Sequence, residues 1–454
     1  KVILPLDASA KIVKPRLLHS SQLGFICPLD TPDGGNVGIH KHLAITTQIS
    51  TFISCSKLIE LLRKNNLVLV TEELPEFLGN YTKVFINGMW VGVHEHPIKL
   101  VDKFKNNKRL GLIPYSISIT FNIKENIVYI FSDSGRVLRP IFYIEKDRES
   151  SFNKLVQKTF TWKQLLYGFN NAKINLNKYK FYDAKDLYQT DDEKNLYKNK
   201  GIIDMIDVNE EETLLISYSH NNEYTHHTNI EIHPSLMLGV MGNQIIFPEN
   251  NPLPRNLFSC GQSKQGVSLY STNYQLRIDK MGVVLNYGQV PLLKSRFMKI
   301  VNNEENPYGE NILVAIGVFS GYNVEDSILF NKASVDRGMF RTTYYTSYQA
   351  REESKTVPES NINSYFKNIE HTKQVLRLKP GYDYSHLDKN GIIKQDTKIN
   401  DKIILIGKVI EDEENNVFVD DSVSTKKGQL GVIDKTFITD DDEGFRLAKI
   451  RIRE

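Results

Sequence analysis

Glu325 and Asp326 stand side by side in SGYNVEDSILF (320–330), after the apolar run ILVAIGVF and a Gly-Tyr-Asn turn. On a strand, adjacent side chains point to opposite faces, but just past a turn two carboxylates can converge. Mg²⁺ is a hard cation that keeps several waters, so one or two carboxylates plus substrate phosphates can hold it. An acid pair on a solvated loop or at a helix start has the same composition. A second group lies in NNPLPRNLFSCGQSKQGV, where Lys264 and Gln265 follow Arg255 by nine and ten residues. Arg forks onto phosphate oxygens and Lys adds a compact charge, so this group suits a phosphate-rich ligand. Were 255–264 one helix, about 100° per residue would set Arg255 and Lys264 about 180° apart. A turn near Gly261 would bring them together. Two solvated surface cations are the alternative.

Other clusters point to structure. TDDDEGF carries Asp440 to Glu443, but Glu443-Gly444 between two alternating runs reads as a hairpin turn, and no cation-loop spacing is present. THHTNIEIHP supplies His226, His227 and His233 without Cys or Asp at ligand spacing, which reads as structural or surface histidines. FKNNKRLG and SDSGRVLRP bring Lys105, Lys108, Arg109, Arg136 and Arg139. These five meet a phosphate backbone or form ordinary solvated faces, the latter preferred for the first block. Walker, dinucleotide-binding and nucleophile-elbow patterns are all missing, which removes the common nucleotide-fold and hydrolase readings.

The elements that must position these residues form several modules. With 454 residues the chain exceeds one simple core. A formal net charge of +3 does not demand an anionic partner in bulk. Cys27, Cys55 and Cys260 are sparse and contain no C-x-x-C pair, which fits a reducing compartment without a Cys-based zinc site. No apolar stretch is long enough for a membrane helix. Lys1 stands at the start, and a piece of something longer is expected. Residues 1–50 read as irregular and turn-rich. SKLIELLRKNN (56–66) and HPIKLVDKFKNNKRLG read as helices, with a short one in TWKQLLYGF. YTKVFINGMWVGVHEHP reads as a hairpin turning at Asn87-Gly88. EEETLLISYS runs into a strand, and YQLRIDKMGVVLNYGQVPLL and NILVAIGVFSGYN are strand-like. Residues 341–454 are β-rich, through DKIILIGKVI, GQLGVIDKTFIT and FRLAKIRIRE. Composition shifts near residue 230.

The order of the blocks is more specific than any one of them. RLLHSSQLGFICPLDTPDGGNVGIHKHLAI resembles the fork segment of the second-largest subunit of multisubunit RNA polymerases, in its eukaryotic, archaeal and large-DNA-virus form. NGMWVGVHEHP, SDSGRVLRPIF and IEIHPSLMLGVMGNQIIFPENNPLPRNLFSCGQSKQGV are similar to its next blocks, in the same order. VVLNYGQVPLL, VAIGVFSGYNVEDSILFNKASVDRGMFRT and DKIILIGKV continue the series, so the resemblance runs from about Lys14 to Glu454.

That resemblance implies a mixed α/β, mostly β, multi-module subunit: fork 1–55, external modules 56–148 and 149–230, the first part of the hybrid-binding barrel region 231–340, and a wall or flap 341–454. It implies a part in template-directed nucleotidyl transfer, within a complex containing the largest subunit and smaller ones. Template DNA, nascent RNA and nucleoside triphosphates are the implied ligands, and no membrane is. Glu325 and Asp326 map near the second Mg²⁺, partly through water. The main ion belongs to the largest subunit, and no zinc is expected in this segment. Arg255 maps onto the triphosphate contact, and Lys264 and Gln265 onto the RNA 3′ end and hybrid. Arg337 joins the nucleic-acid-binding set. The implied location is the nucleus, or a cytoplasmic factory or virion for a virus.

The departures are specific. Asp30 and Asp33 in LDTPDGG replace the usual glutamates, FSCGQS loses a hydroxyl, and ENNPLPRN lacks the usual His. The block with two catalytic-centre lysines, expected after KIRIRE, is missing from the sequence. Two rivals remain: a non-catalytic assembly module from a split or truncated subunit, and a stand-alone Mg²⁺-dependent phosphotransferase.

Overall fold

A computed structural model describes residues 1–155, 160–168, 180–183, 200–218, 226–301, 304–357, 360–370, 375–412 and 417–454. The chain divides into two compact units, Lys1–Lys264 and Gln265–Glu454.

The first unit opens with the irregular segment that its Gly, Pro and polar residues predict. Arg16 ties it together by donating to the carbonyls of Ala8, Ala10, Ile12, Gly35 and Val37. A five-stranded sheet follows, in the spatial order Val68–Leu69, Met89–His94, Thr82–Ile86, Ile127–Phe131, Ser118–Asn122. Alternation buries Val84, Ile86, Val128 and Ile130 on one face. The helices Cys55–Arg63 and Pro97–Arg109 cover that face with Leu58, Leu62, Leu100 and Phe104. The Thr82–Ile86 and Met89–His94 strands turn at Asn87 and Gly88, whose φ values of 48° and 84° are the left-handed pair a two-residue hairpin turn needs. An added Cβ at Gly88 meets no atom within 4 Å, so its only obstacle is the backbone. Gly88→Ala is expected to lower stability by about 1 kcal/mol, read as a lower Tm without loss of the sheet.

The strand Val137–Tyr143 pairs with Ile203–Ile206 and Asn229–Ile230, and with Gln48–Ile49. Here the two basic blocks depart from expectation. Arg109 forks onto Asp204 at 2.6 and 2.8 Å, and Lys108 reaches Met205 O and Glu210. Arg136 binds Asp133 and Asp207, and Arg139 binds Glu211 and Glu231. Lys108 and Arg139 are buried and Arg109 and Arg136 nearly so, so none of the four is a solvated face or a free phosphate ligand. A buried cation needs a partner, and acidic residues roughly 70–100 positions away in sequence supply them.

The second unit contains two five-stranded sheets. In the first the order is Met281–Leu285, Thr342–Arg351, Arg446–Arg453, Gly431–Asp440, Lys398–Ile399. The acid cluster is the hairpin turn its sequence predicts: Asp441 accepts from the Glu443 and Phe445 N–H groups, and Arg351 pairs with Asp441 and Glu443. The expectation of a strand in NILVAIGVFSGYN fails. Residues 311–319 form no strand, and Leu313, Ile316, Val318 and Phe319 are strongly exposed. An apolar run specifies burial but not the ladder partner a strand also requires, and among the described residues none pairs with it.

Candidate functional site

In the first unit the site residues hang on the helix Leu253–Ser263. Prolines at 252 and 254 fix its start, since an early helical position needs no N–H donor. Its inner face buries Asn256, whose amide donates to Pro248 O at 2.8 Å, and Cys260. Burial pushes the Cys260 thiol up to about 12, with Asp30 adding to the effect. Arg255 sits in the first turn on the outer face, its guanidinium 5.6 Å from the Phe258 ring centre. It forms no ion pair among the described residues. An unpaired guanidinium beside the N–H groups of a helix start favours an anion.

The helix runs unbroken through Gly261, so no turn brings Arg255 and Lys264 together. They lie about 180° apart around the axis, roughly 13 Å along it. Lys264 closes the helix and turns back to the N-terminal segment. Its Nζ donates to Asp30 Oδ1 at 2.7 Å and to His42 Nε2 at 3.0 Å. His42 Nδ1 faces the other oxygen of Asp30 at 3.6 Å. An antiparallel bridge between Ile26 and Leu43, with Cys27 N–H donating to His42 O, sets Asp30 and His42 on neighbouring stretches. Asp30 is 3% exposed, whereas Asp33 is exposed on the loop. Burial holds the His42 imidazole below its ordinary value; Asp30 opposes this and Lys264 reinforces it. A neutral His42 can then accept from Lys264. An ammonium has three N–H groups, and two are used here.

His42 and the burial of Asp30 escaped the sequence reading. The only available signal was an acid and a histidine within mostly apolar, turn-rich blocks, and the partner Lys264 lies 234 and 222 positions away.

In the second unit Gln265 is exposed. Glu325 and Asp326 are the central residues of a turn closed by Ser327 N–H donating to Val324 O at 3.2 Å. Both are left-handed, with φ of 56° and 66°. Both side chains are exposed, on one bend rather than at the mouth of a buried strand. Asn323 braces the preceding loop, accepting from Phe319 N–H and donating to Gly317 O. Among the described residues no third His, Cys, Asp or Glu joins the pair. Two unshared carboxylates on a solvated bend fit a cation that keeps its waters and takes its other ligands from elsewhere. Arg337, at the end of the helix Lys332–Asp336, is exposed and donates to Ser334 Oγ at 3.3 Å. His233, on another segment, caps a short helical turn through Ser235.

Three family models match the chain in sequence order. RNA polymerase Rpb2, domain 3, covers 1–49; domain 4 covers 84–145; domain 6 covers 241–454. The chain belongs to the Rpb2 family. DNA-directed RNA polymerase II subunit RPB2 of Eremothecium gossypii is 32% identical over 99% of this chain and 39% of its own length. DNA-directed RNA polymerase II subunit 2 of Arabidopsis thaliana is 32% identical over 99% of this chain and 37% of its own length. The archaeal DNA-directed RNA polymerase subunit Rpo2 of Sulfolobus acidocaldarius is 29% identical over the whole chain and 39% of its own length. The chain thus spans about two fifths of the curated Rpb2 relatives it matches. The resemblance to the second-largest subunit is borne out, and the mostly β, multi-module fold agrees with it. Arg255, Lys264, Gln265, Glu325, Asp326 and Arg337 all fall within the Rpb2 domain 6 match.

Proposed function

We propose that this chain is a working part of a DNA-directed RNA polymerase, contributing to template-directed nucleotidyl transfer and to holding the RNA–DNA hybrid. The observation that carries the reading is the ordered run of three Rpb2 domain matches, the last containing Arg255, Lys264, Gln265, Glu325, Asp326 and Arg337. Its modules are read as fork 1–55, external 56–148 and 149–230, hybrid-binding 231–340 and wall or flap 341–454. The partners that go with it are the largest subunit, smaller subunits, template DNA, nascent RNA and nucleoside triphosphates. The location that goes with it is the nucleus, or a viral factory.

Arg255 would grip the triphosphate, where a forked cation stabilises charge growing toward the leaving group. Lys264, with Gln265 beside it, would hold the RNA 3′ end through phosphate oxygens, and Arg337 would add a backbone contact. Such contacts read A-like shape rather than base edges. Glu325 and Asp326 would hold the nucleotide-bound Mg²⁺ partly through water. When bound, that ion neutralises the leaving pyrophosphate.

Arg255→Ala in the assembled enzyme is expected to raise the nucleotide KM or lower kcat by about tenfold. An effect confined to promoter binding would count against the triphosphate contact. The reading as a whole is tested by purifying the tagged native protein and identifying what accompanies it by mass spectrometry. A very large partner with an Asp-rich metal loop supports it. A protein isolated alone favours a non-catalytic assembly module.

A further inference from the structure

We propose that Asp30 and His42 are positioning residues that seat the Lys264 ammonium, and that a proton on His42 unseats it. The inference rests on the reading of Lys264 as a contact to the RNA 3′ end.

The geometry is that of a two-point seat. Lys264 leaves the end of its helix with a long, flexible stem, which alone would sample many rotamers. Asp30 Oδ1 and His42 Nε2 hold its Nζ at 2.7 and 3.0 Å. The asymmetry in burial shows which group directs the other. The Asp30 side chain is 4% exposed, so its carboxylate needs a partner, whereas the Lys264 side chain is 38% exposed. The third N–H of the ammonium can then meet an incoming phosphate oxygen from a fixed point.

His42 makes the seat conditional. Neutral, it accepts from Lys264 through Nε2 and turns its Nδ1 toward Asp30 Oδ2. Protonated, it has no lone pair to offer, and it becomes a second cation 3.0 Å from Nζ. The imidazolium and the ammonium then compete for one carboxylate, and the longer, more exposed chain is the one displaced. The charged side chains acting on His42 are Asp30, Lys264 and Lys1. The thiols of Cys27 and Cys260 beside Asp30 are held protonated by burial and add no charge. Because burial outweighs Asp30, the switch lies below the ordinary histidine value of 6.5.

The test is single-nucleotide addition by the assembled polymerase on a preformed RNA–DNA scaffold, between about pH 5.5 and 8.5. The variants are Lys264→Ala, Asp30→Asn, Asp30→Glu and His42→Asn. Asn at 42 stays neutral throughout this range; its amide reaches only the Nδ1 position of the ring, so it removes the proton switch together with the Nε2 contact. We expect Asp30→Asn to slow addition about tenfold at neutral pH, with Asp30→Glu restoring most of the rate. We expect the acid limb of the wild-type profile to be reduced or absent in His42→Asn, a difference that a merely structural histidine would not produce. If Lys264→Ala slows addition while Asp30→Asn and His42→Asn keep wild-type rates and acid limb, the seat is disproved and the role of Lys264 survives. If Lys264→Ala is itself without effect, the reading of Lys264 fails and the seat with it. Should Asp30→Asn not assemble, His42→Asn, at a half-buried site, decides the matter by its pH profile.

Discussion

Arg139→Ala is expected to lower the stability of the Lys1–Lys264 unit by about 3–5 kcal/mol, enough to unfold a marginal domain. Arg139 is 2% exposed, and its guanidinium donates to Glu211 at 2.8 Å and to Glu231 at 2.6 Å. Burial alone would weaken its hold on the proton, but the hydrogen bond to Glu211 and the charge of Glu231 more than reverse this, so its affinity for the proton rises. Removing it leaves two carboxylates inside the protein with nothing to balance them. It also empties the space against Gly24, where an added Cβ would already lie 2.7 Å from the Arg139 side chain. Replacing Arg139, Glu211 and Glu231 together with apolar residues of similar volume should recover most of the loss, because no charge is then left unpaired. Thermal and urea unfolding of the three proteins checks this. A loss below about 1 kcal/mol for Arg139→Ala would mean that the network is solvated in solution.

Asp326→Ala is expected to slow nucleotide addition by the assembled enzyme about 10- to 100-fold, with scaffold binding unchanged, as for a group that orients a metal through water. Alanine at this position also strains the left-handed backbone at φ 66°, which costs about 1 kcal/mol and confuses the comparison. Asp326→Asn is the cleaner variant, since asparagine accepts that conformation and removes only the charge. Both variants should need more Mg²⁺ to reach half their maximal rate. Elongation at the wild-type rate in both would remove Asp326 from the metal site.

How much of this the sequence disclosed depended on the range of the interaction. The Asn87-Gly88 hairpin, the helix at Cys55–Arg63 and the turn at Asp441–Gly444 are set by neighbouring residues, and all three were legible. Periodicity and turn chemistry act over a few positions. The fates of Lys108, Arg109, Arg136 and Arg139 were not legible. A basic residue has the same identity whether it faces water, phosphate or a buried carboxylate, and here the carboxylates come from distant segments. The Lys264 seat was hidden for the same reason. The run before Glu325 failed differently: its composition marked it as apolar, yet nothing local could show that no strand among the described residues would pair with it. The ordered blocks were informative about family because they sum many weak local signals over almost the whole length.

The left-handed turn at Glu325 and Asp326 also shapes what mutation can reach. Aspartate and asparagine codons differ by one transition, so the isosteric neutral replacement that this backbone tolerates is also one genetic step from the native residue. Random mutagenesis will therefore sample the loss of charge at 326 often and without a folding penalty. In a selection for function, the depletion of that one codon change would report on charge alone. Depletion of bulkier replacements would mix charge with conformation. At Glu325, φ 56° filters in the same way, but the one-step isosteric loss of charge is to glutamine, which enters a left-handed backbone less readily than asparagine does. The two neighbouring carboxylates would thus leave different mutational records even if they served one cation equally.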